Sequence, residues 1–272
     1  QRFLNSQYDI NCSNPLLSDQ QRGILCTPAQ VAADLLDPGS MSANVEIGRR
    51  NIEGGGRVAF FEHTNYRAVG GTKGEFGGDW SYDVYGQYYY TSLFNSNTNY
   101  LNLRGITNAL QVTGTAANPV CISGPPCVPY NIFTEGAVSE EQLNSLYTPG
   151  TAYGTVTQKI VHADVTGDLG RYNFKSAFAT DGIGVNFGFE HRSEFLAFDP
   201  DAAELAGELA GFSGASVSIH NGYSVSEGFA EVRAPLAQAR TGIYDLVFDA
   251  GYRYSKYSTA GNTNAYKFEI QY

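Results

Sequence analysis

The chain has no run of 18 or more apolar residues, so the sequence offers no candidate for a transmembrane helix. Basic residues are scarce: 17 Lys and Arg stand against 27 Asp and Glu, which gives a net charge of −10. A nucleic-acid-binding surface needs basic side chains to neutralise phosphates, so this balance argues against nucleic acid as a partner. The four histidines are scattered, and none lies in a nucleophile or metal-binding motif. We therefore predict that the protein is not an enzyme and carries no cofactor or metal.

Only four cysteines are present, and they form two close pairs in sequence, Cys12 with Cys26 and Cys121 with Cys127. Both pairs lie in stretches rich in proline, asparagine and glycine, outside the strand patterns. No histidine is near either pair and neither spacing is Cys-x-x-Cys, which disfavours a zinc site. We predict two disulfides that staple loops in an oxidising compartment.

The dominant feature is a regular alternation of apolar and polar residues from residue 242 to residue 272. A period of two is that of a strand with one apolar and one polar face. Gly261-Asn262 predicts a turn between two such strands. The apolar positions are Tyr244, Leu246, Phe248, Ala250, Tyr252 and Tyr254 in the first strand and Tyr266, Phe268, Ile270 and Tyr272 in the second.

The length of the first of these strands distinguishes two architectures. It covers about 15 residues, or about 50 Å, whereas strands of soluble sheets usually have about 5–6 residues. Tyrosines are concentrated near the ends of the apolar row, as expected where a membrane meets water. We favour a strand that crosses a bilayer. The alternative is a long strand in a soluble sandwich or solenoid.

Other segments of the chain alternate in the same way. Residues 43–53 and 57–69 flank Gly54-Gly55-Gly56, so they form either a hairpin above a membrane or one long strand with a glycine kink. Gly77-Gly78-Asp79 predicts a tight turn. Further strands are predicted at residues 80–90, 156–168, 183–190 and 223–236.

Three long excursions separate the strands, at residues 11–42, 95–152 and 196–222. Helices within them are predicted from their caps at Thr27-Pro28 and Ser139, and from composition near residues 201–209. Residues 99–112 form either a helix or a short strand. The two later excursions would fall on one side of a sheet whose other connections are shorter, which is how outer-membrane barrels are built.

Several segments resemble barrel strands of the TonB-dependent outer-membrane receptors of Gram-negative bacteria. The resemblance rests on their order along the chain rather than on one motif, and it covers most of the chain from about residue 10. The segments are G-R-R-N-I-E-G-G-G-R (48–57), T-N-Y-R-A-V-G-G-T-K-G-E-F (64–76), W-S-Y-D-V-Y (80–85), C-V-P-Y-N-I-F (127–133), V-N-F-G-F-E-H-R-S-E (185–194), S-E-G-F-A-E-V-R-A-P-L (226–236) and G-Y-R-Y-S-K-Y (251–257).

The resemblance implies an all-β fold, an antiparallel transmembrane barrel of about 22 strands with long extracellular loops that carry short helices. It also implies a plug domain inside the barrel and a TonB box that engages TonB. Only seven or eight strands are found here, and no plug, TonB box or closing C-terminal strand. We therefore interpret residues 1–272 as an internal portion of such a barrel domain, with the plug and the C-terminal barrel strands outside it.

The functional hypothesis is import across the outer membrane, driven by energy that TonB relays. The ligand would be a scarce nutrient such as an iron chelate, cobalamin, an oligosaccharide or a peptide, and the sequence does not identify which. The implied partners are TonB, the plug domain, lipid or lipopolysaccharide of the outer membrane, and that ligand. The alternative is an outer-membrane surface protein that binds a partner through its disulfide-stapled loops without transport.

Candidate site residues follow from the faces of the strands and from the aromatic residues of the loops. We expect the polar faces to line a water-filled lumen and contact a plug, and the loop aromatics to stack on a ligand. The lumen or plug-contact candidates are Glu190, Arg192, Glu194, Glu227, Glu231, Arg233, Asp245, Asp249 and Arg253. The loop candidates are Tyr130, Phe133 and Tyr153.

Overall fold

The computed structural model describes residues 2–240 and 242–272, of which most lie in β-strands. Strands account for 58% of the chain and helices for 14%, which confirms the all-β class. In chain order the elements are β1 (Arg2–Asn11), α1 (Asp19–Leu25), α2 (Pro28–Leu36), β2 (Ser42–Asn51), β3 (Val58–Phe76), β4 (Trp80–Leu101), α3 (Leu103–Ala109), β5 (Val112–Thr115), β6 (Asn118–Cys121), α4 (Glu140–Leu146), β7 (Tyr147–Asp168), β8 (Gly184–Pro200), α5 (Ala202–Leu205), β9 (Ile219–Arg240), β10 (Ile243–Tyr257) and β11 (Gly261–Gln271).

The strands form one large sheet and two small ones. Seven long strands form the large sheet in the order β11-β10-β9-β8-β7-β4-β3. Each of them therefore pairs with the long strand that precedes or follows it in the sequence. β1 pairs with β2, and β5 pairs with β6. The sheet is antiparallel and open in this order, with β3 and β11 at its edges. No helix in the described part of the chain is long and apolar enough to span a membrane.

The chain divides into two compact units. The first contains the chain up to Glu62 together with Leu93–Tyr153 and Phe198–Ser218. The second contains His63–Ser92, Gly154–Ala197 and Ile219–Tyr272.

The second unit is built from very long strands, as the alternation predicts. β10 pairs with β11 from Tyr257↔Gly261 to Val247↔Gln271. The hairpin turn is Ser258–Ala260, one position earlier than predicted, and Gly261 opens β11 with a φ of +76°. A glycine is favoured there because a positive φ is costly for a residue that carries a Cβ atom.

The two faces of the long strands differ in chemistry. On one face, here called the apolar face, the exposed side chains are mostly aromatic or aliphatic, and this face was predicted from the alternation. Its residues include Tyr66, Phe76, Val84, Val161, Phe187, Phe189, Tyr252, Tyr254, Tyr266, Phe268 and Ile270. The opposite face, here called the polar face, carries the charged and amide side chains. One exception is Val247, which lies among the polar positions of β10 but is buried beside a register shift between Leu246 and Val247.

The first unit has a conventional hydrophobic core. Helix α3 contributes Ile106 and Ala109, its C-cap contributes Leu110, and α4 contributes Leu143 and Leu146, all of them buried. The sheet β1–β2 covers this cluster with side chains at alternate positions, because a strand directs every second residue to the same side. The other buried members are Tyr8, Ile10, Leu17, Leu101, Tyr130 and Ala210.

The helices of the first unit begin where the sequence places their caps. Thr27 and Ser139 each form a capping box, in which the side-chain oxygen accepts from a backbone N–H and a glutamine three residues later returns the bond. Asp201 caps α5, although that helix is shorter than predicted. Helix α1, which was not predicted, begins with a further capping box between Ser18 and Gln21.

Both predicted disulfides are present, Cys12–Cys26 and Cys121–Cys127. The alternatives for residues 43–69 resolve into two separate strands, because β2 pairs with β1 while β3 belongs to the large sheet. The excursions are shorter than predicted, since β4 extends to Leu101 and β7 already begins at Tyr147.

Candidate functional site

The polar face of the second unit brings most of the predicted charged residues together. The most highly connected of its side chains is His162 on β7, whose ring lies between two carboxylates. Its Nδ1 atom is 3.2 Å from Glu190 Oε2 on β8, and its Nε2 atom is 3.1 Å from Asp164 Oδ2. A histidine ring can donate to both carboxylates at once only when both nitrogens carry a proton. The ring is therefore fixed in orientation at both of its nitrogens.

Two aromatic rings also pack against the faces of His162. The ring of Tyr85, on β4, stacks on it with centroids 4.9 Å apart. The ring of Phe229, on β9, also stacks on the ring of His162, with centroids 6.0 Å apart. The guanidinium of Arg253 lies over Phe229 at 5.1 Å from the ring centroid. Stacked rings and a cation over a ring attract each other, so these side chains form one ordered row across the strands.

Glycine makes room for this row on β8. Glu190 follows Gly188 on the same face, and a methyl group at Gly188 would come within 2.1 Å of the tip of the Phe229 ring. The ring therefore occupies the space where a side chain of β8 would otherwise stand. An apolar residue among polar positions, paired with a glycine on the next strand, is how the sequence encodes this contact.

A second cluster is centred on Glu227, which is among the few buried charged residues of the second unit. Ser255 Oγ donates a hydrogen bond to Glu227 Oε1 at 2.6 Å. Arg253 Nη1 is 3.6 Å from Glu227 Oε2, close enough for an ion pair. The register explains the contact, because Glu227 stands directly opposite Ser255.

A chain of amide side chains crosses four strands on the same face. Arg67 donates to Gln87, Gln87 Nε2 donates to Gln158 Oε1 at 3.0 Å, and Gln158 Nε2 donates to Glu194 Oε1 at 3.0 Å. On β8, the predicted candidate Arg192 also pairs with Glu194, at 3.4 Å. Arg67 donates from two nitrogens to one oxygen of Gln87, and each of the other links uses one donor and one acceptor, so this chain holds neighbouring strands in register through their side chains.

The polar face also contains a depression of about 270 Å³ between β8, β9, β10 and β11. Glycines at positions 184 and 251 leave the space, and Asp249 lies beside it. Arg233 Nη1 is 3.6 Å from Asp249 Oδ1, but Asp249 Oδ2 is buried with no hydrogen-bond partner among the described residues. Glu231 and Lys267 flank Gly251 on the adjacent strands, opposite it in register.

Of the nine predicted polar-face residues, eight therefore take part in these clusters or line this depression. The remaining one, Asp245, is exposed and lies beyond the register shift, opposite Gln238. It contacts none of the other candidates.

The loop candidates are less uniform. Tyr130 is completely buried in the core of the first unit, and its hydroxyl donates to Asn51 Oδ1 at 2.9 Å. This corrects the expectation that its ring is available to stack on a ligand. Phe133 packs against the same core and is half-buried. Tyr153 is exposed and its ring lies 5.0 Å from that of Phe94, so it alone keeps an accessible aromatic surface.

Sequence reasoning did not single out several residues of the polar face. His162 lies in no motif of the sequence, and Tyr85, Phe229, Asn186 and Gln158 are not among the predicted site residues. Asn186 Nδ2 donates to Asp164 Oδ1 at 2.9 Å and so supports the carboxylate that holds His162. The available signal was the shared face of these residues. Their partners on neighbouring strands require the register, which a single sequence does not give.

In the described part of the chain no group of three or more His, Cys, Asp or Glu residues is arranged to hold a metal ion. The polar face therefore offers charge, hydrogen bonds and stacked rings to a partner. No family model matches the chain, and no curated protein and no solved structure is similar to it.

Proposed function

We propose that the second unit crosses the outer membrane of a Gram-negative bacterium as part of a TonB-dependent receptor. In this proposal the apolar face contacts lipid and the polar face lines the aqueous interior. The receptor imports a scarce nutrient, and TonB supplies the energy. The chain supplies barrel strands, and the plug domain and further strands complete the receptor.

The observation that carries the proposal is a pair of aromatic clusters on the apolar face of β3 and β4. One cluster joins Phe76 to Trp80 and Tyr82, with ring centroids 6.4 Å apart in both contacts. The other joins Tyr66 to Tyr88 and Tyr90, with centroids 6.2 and 4.9 Å apart. Tyr82 and Tyr90 are eight residues apart on one strand, a distance of about 27 Å at about 3.3 Å per residue.

The hairpin β10–β11 repeats this spacing. Tyr252 stacks on Tyr266 at 5.2 Å. Eight residues before Tyr252, Tyr244 is almost completely exposed, and Tyr272 OH donates to the carbonyl of Gly242 near the same end. Between these two ends the apolar face carries Leu246, Phe248, Ala250, Phe268 and Ile270.

On a strand tilted by about 35–45°, as barrel strands are, eight residues rise about 20 Å along the membrane normal, which is close to the dimensions of a membrane barrel. Such barrels expose an apolar band about 25 Å tall between two girdles of aromatic residues. Aromatic rings with a polar group are favoured at both membrane interfaces. A soluble sheet has no reason to expose aromatic clusters with this spacing on two separate pairs of strands.

The test uses single thiols, since all four cysteines of residues 1–272 are in disulfides, and any free cysteine elsewhere in the complete protein is replaced by serine. Val84→Cys places a thiol on the apolar face and Asp83→Cys places one on the polar face one residue away. Each variant of the complete protein is labelled with a polarity-sensitive fluorophore and reconstituted into vesicles with brominated lipid. We expect strong quenching and a blue-shifted emission for position 84, and little of either for position 83. Equal behaviour of the two positions would contradict the membrane assignment.

The transport part is tested separately in cells. The complete protein should be recovered in the outer-membrane fraction and should cross-link to TonB, with loss of the cross-link when TonB is deleted as the control. Recovery in the outer membrane without any cross-link to TonB would instead support the alternative function, a surface protein that binds a partner without transport.

A further inference from the structure

The depression beside Asp249 has the features of a ligand site that the proposed function does not require. Its floor is formed where two strands carry glycine at polar-face positions. A methyl group at Gly251 would meet only Glu231 Cγ at 3.5 Å, Lys267 Cβ at 3.8 Å and a backbone oxygen at 3.9 Å. At Gly184 the nearest atoms, both of Arg233, are 3.9 Å away. No other backbone segment packs so closely on these residues that a glycine is required. The glycines therefore leave the space of the depression open.

The buried end of the depression is acidic and lacks a partner. The Oδ2 atom of Asp249 is inaccessible to solvent and forms no hydrogen bond to any described residue. A carboxylate oxygen that is removed from water without a donor costs free energy, and natural structures usually satisfy such a group. Because Oδ2 is closed to solvent, the carboxylate must rotate before a donor in the depression can reach it. A donor of positive charge would then remove this cost, because charge-assisted hydrogen bonds are the stronger ones.

The outer end of the depression is basic. The side chains of Arg233 and Lys267 remain 54% and 66% exposed. The distance of 3.6 Å between Arg233 Nη1 and Asp249 Oδ1 exceeds that of a hydrogen bond, so the guanidinium keeps N–H groups for an incoming anion. Lys267 Nζ is 3.0 Å from Glu269 Oε2, a pair that is itself largely exposed and therefore weak.

We propose that this depression binds a small zwitterion of the α-amino-acid type. The ammonium group of the ligand donates to Asp249 Oδ2, with Glu231 beside it, and the carboxylate accepts from Arg233 and Lys267. A volume of about 270 Å³ is sufficient for a small amino acid. A simple cation would meet two like charges at the rim, and a simple anion would meet the acidic floor, so both are selected against. The site depends only on the polar face and not on transport.

Equilibrium binding to the purified complete protein in detergent, measured by saturation-transfer NMR and calorimetry, tests the proposal. The probes are L-alanine, ethylammonium and propionate, which have similar size but carry both charges, only the positive charge or only the negative charge. We expect saturable binding of L-alanine that is at least tenfold tighter than that of either other probe. Absence of saturable alanine binding, or equal binding of ethylammonium, would overturn the proposal.

Three variants place the site. Gly251→Leu fills the depression and should abolish alanine binding, and Asp249→Asn should weaken it at least tenfold. The control is Gly228→Leu on the opposite face of the neighbouring strand, where no atom lies within 4 Å of an added methyl group and binding should be unchanged. Unchanged binding in Gly251→Leu would place any alanine binding elsewhere and contradict the assignment. Failure of this test leaves the lipid quenching experiment unaffected, so the two proposals fail separately.

Discussion

The first unit buries a cluster of aliphatic side chains in a common core, whereas most large apolar side chains on the apolar face of the second unit are on the surface. Ile106 in α3 is completely buried, but Ile270 in β11 is 71% exposed. The first unit is therefore organised as a protein that folds in water, where burial of apolar surface is the main driving force. The apolar side chains of the second unit are not covered by protein, so they contribute little hydrophobic stabilisation to the fold.

The units also treat polar groups differently. In the first unit Asp34 is buried with a full set of donors, as buried charges in water-soluble domains must be. In the second unit the charged side chains form ion pairs and amide chains on an accessible face. This contrast is what the proposed membrane placement of the second unit would produce, and each of the following experiments is designed to sharpen or to break it.

The largest difference is expected for matched isoleucine substitutions. Ile106→Ala should destabilise the first unit by about 2–5 kcal/mol, since it removes buried methyl groups and leaves a cavity. Ile270→Ala should change the stability of the second unit in detergent by no more than about 0.5 kcal/mol, because the side chain packs against little protein. Hydrogen exchange of the complete protein in increasing urea, read by peptide mass, measures both. Similar costs at the two positions would show that Ile270 is packed.

Disulfides hold only the first unit, so their removal should affect only that unit. Replacing Cys12 and Cys26 by alanine removes a bridge across 14 positions and should cost about 3 kcal/mol, whereas the Cys121–Cys127 bridge spans 6 positions and should cost about 2.4 kcal/mol. The same exchange experiment separates the effects. Peptides of the second unit serve as the internal control and should keep their protection. Loss of protection in β10 and β11 would contradict the independence of the two units.

Acid should weaken the first unit through Asp34. Burial alone would raise the pKa of this carboxyl, but hydrogen bonds from Ser13, Met41 and Asn11 outweigh it and hold the pKa below its ordinary value. A carboxyl with a lowered pKa contributes stability that is complete above its unfolded pKa, about 3.9, and is lost as the pH falls towards the folded pKa. The unfolding free energy should therefore be constant above about pH 5 and fall below about pH 4.

Asp34→Asn should remove this part of the pH dependence and cost about 1–3 kcal/mol at neutral pH. Both carboxylate oxygens accept bonds, Oδ2 from Ser13 and Asn11 and Oδ1 from Gly39 and Met41, so an amide group would point N–H at donors in either orientation. The control is Asp37→Asn at the exposed end of α2. A pH profile that is unchanged in Asp34→Asn would assign the acid sensitivity to another group.

The parts of the fold that the sequence predicts are those set by local rules. Strict alternation over residues 242–257 predicts β10 to within a residue, and the caps at Thr27 and Ser139 locate two helices. These features depend on backbone geometry and on neighbours within a few positions, which one sequence contains. The same rule would have found α1, because Ser18 and Gln21 carry the spacing of a capping box.

The parts that require tertiary contacts could not be predicted. Tyr130 is an isolated aromatic residue in a loop, and only its neighbours from distant segments reveal that it is buried. Phe229 is an apolar residue at a polar-face position, and the sequence does not explain it. The structure does, because Gly188 on the next strand leaves space for its ring. The register decides the case of Phe229, since a shift of one residue would exchange the two faces of a strand.

The smallest effect is expected where the second unit is packed on its polar face. In Gly188→Ala the new methyl group would come within 2.1 Å of the Phe229 ring, so the ring must move away from His162 and Arg253. Loss of one aromatic contact and its cation costs about 1 kcal/mol. We expect reduced protection of β7 and β9 in hydrogen exchange and a change in the ring-current shift of the His162 protons.

The matched control is Gly228→Ala, one residue before Phe229 and on the apolar face. No atom lies within 4 Å of the added methyl group, and neither glycine adopts a positive φ, so backbone strain does not distinguish the two substitutions. If Gly188→Ala is as harmless as its control, the stacked row is loose and the polar face is only a solvated wall. If it alone perturbs His162, the second unit has its ordered packing on the polar face. In the second unit the packed side chains are then rings and ion pairs, whereas in the first unit they are mainly aliphatic.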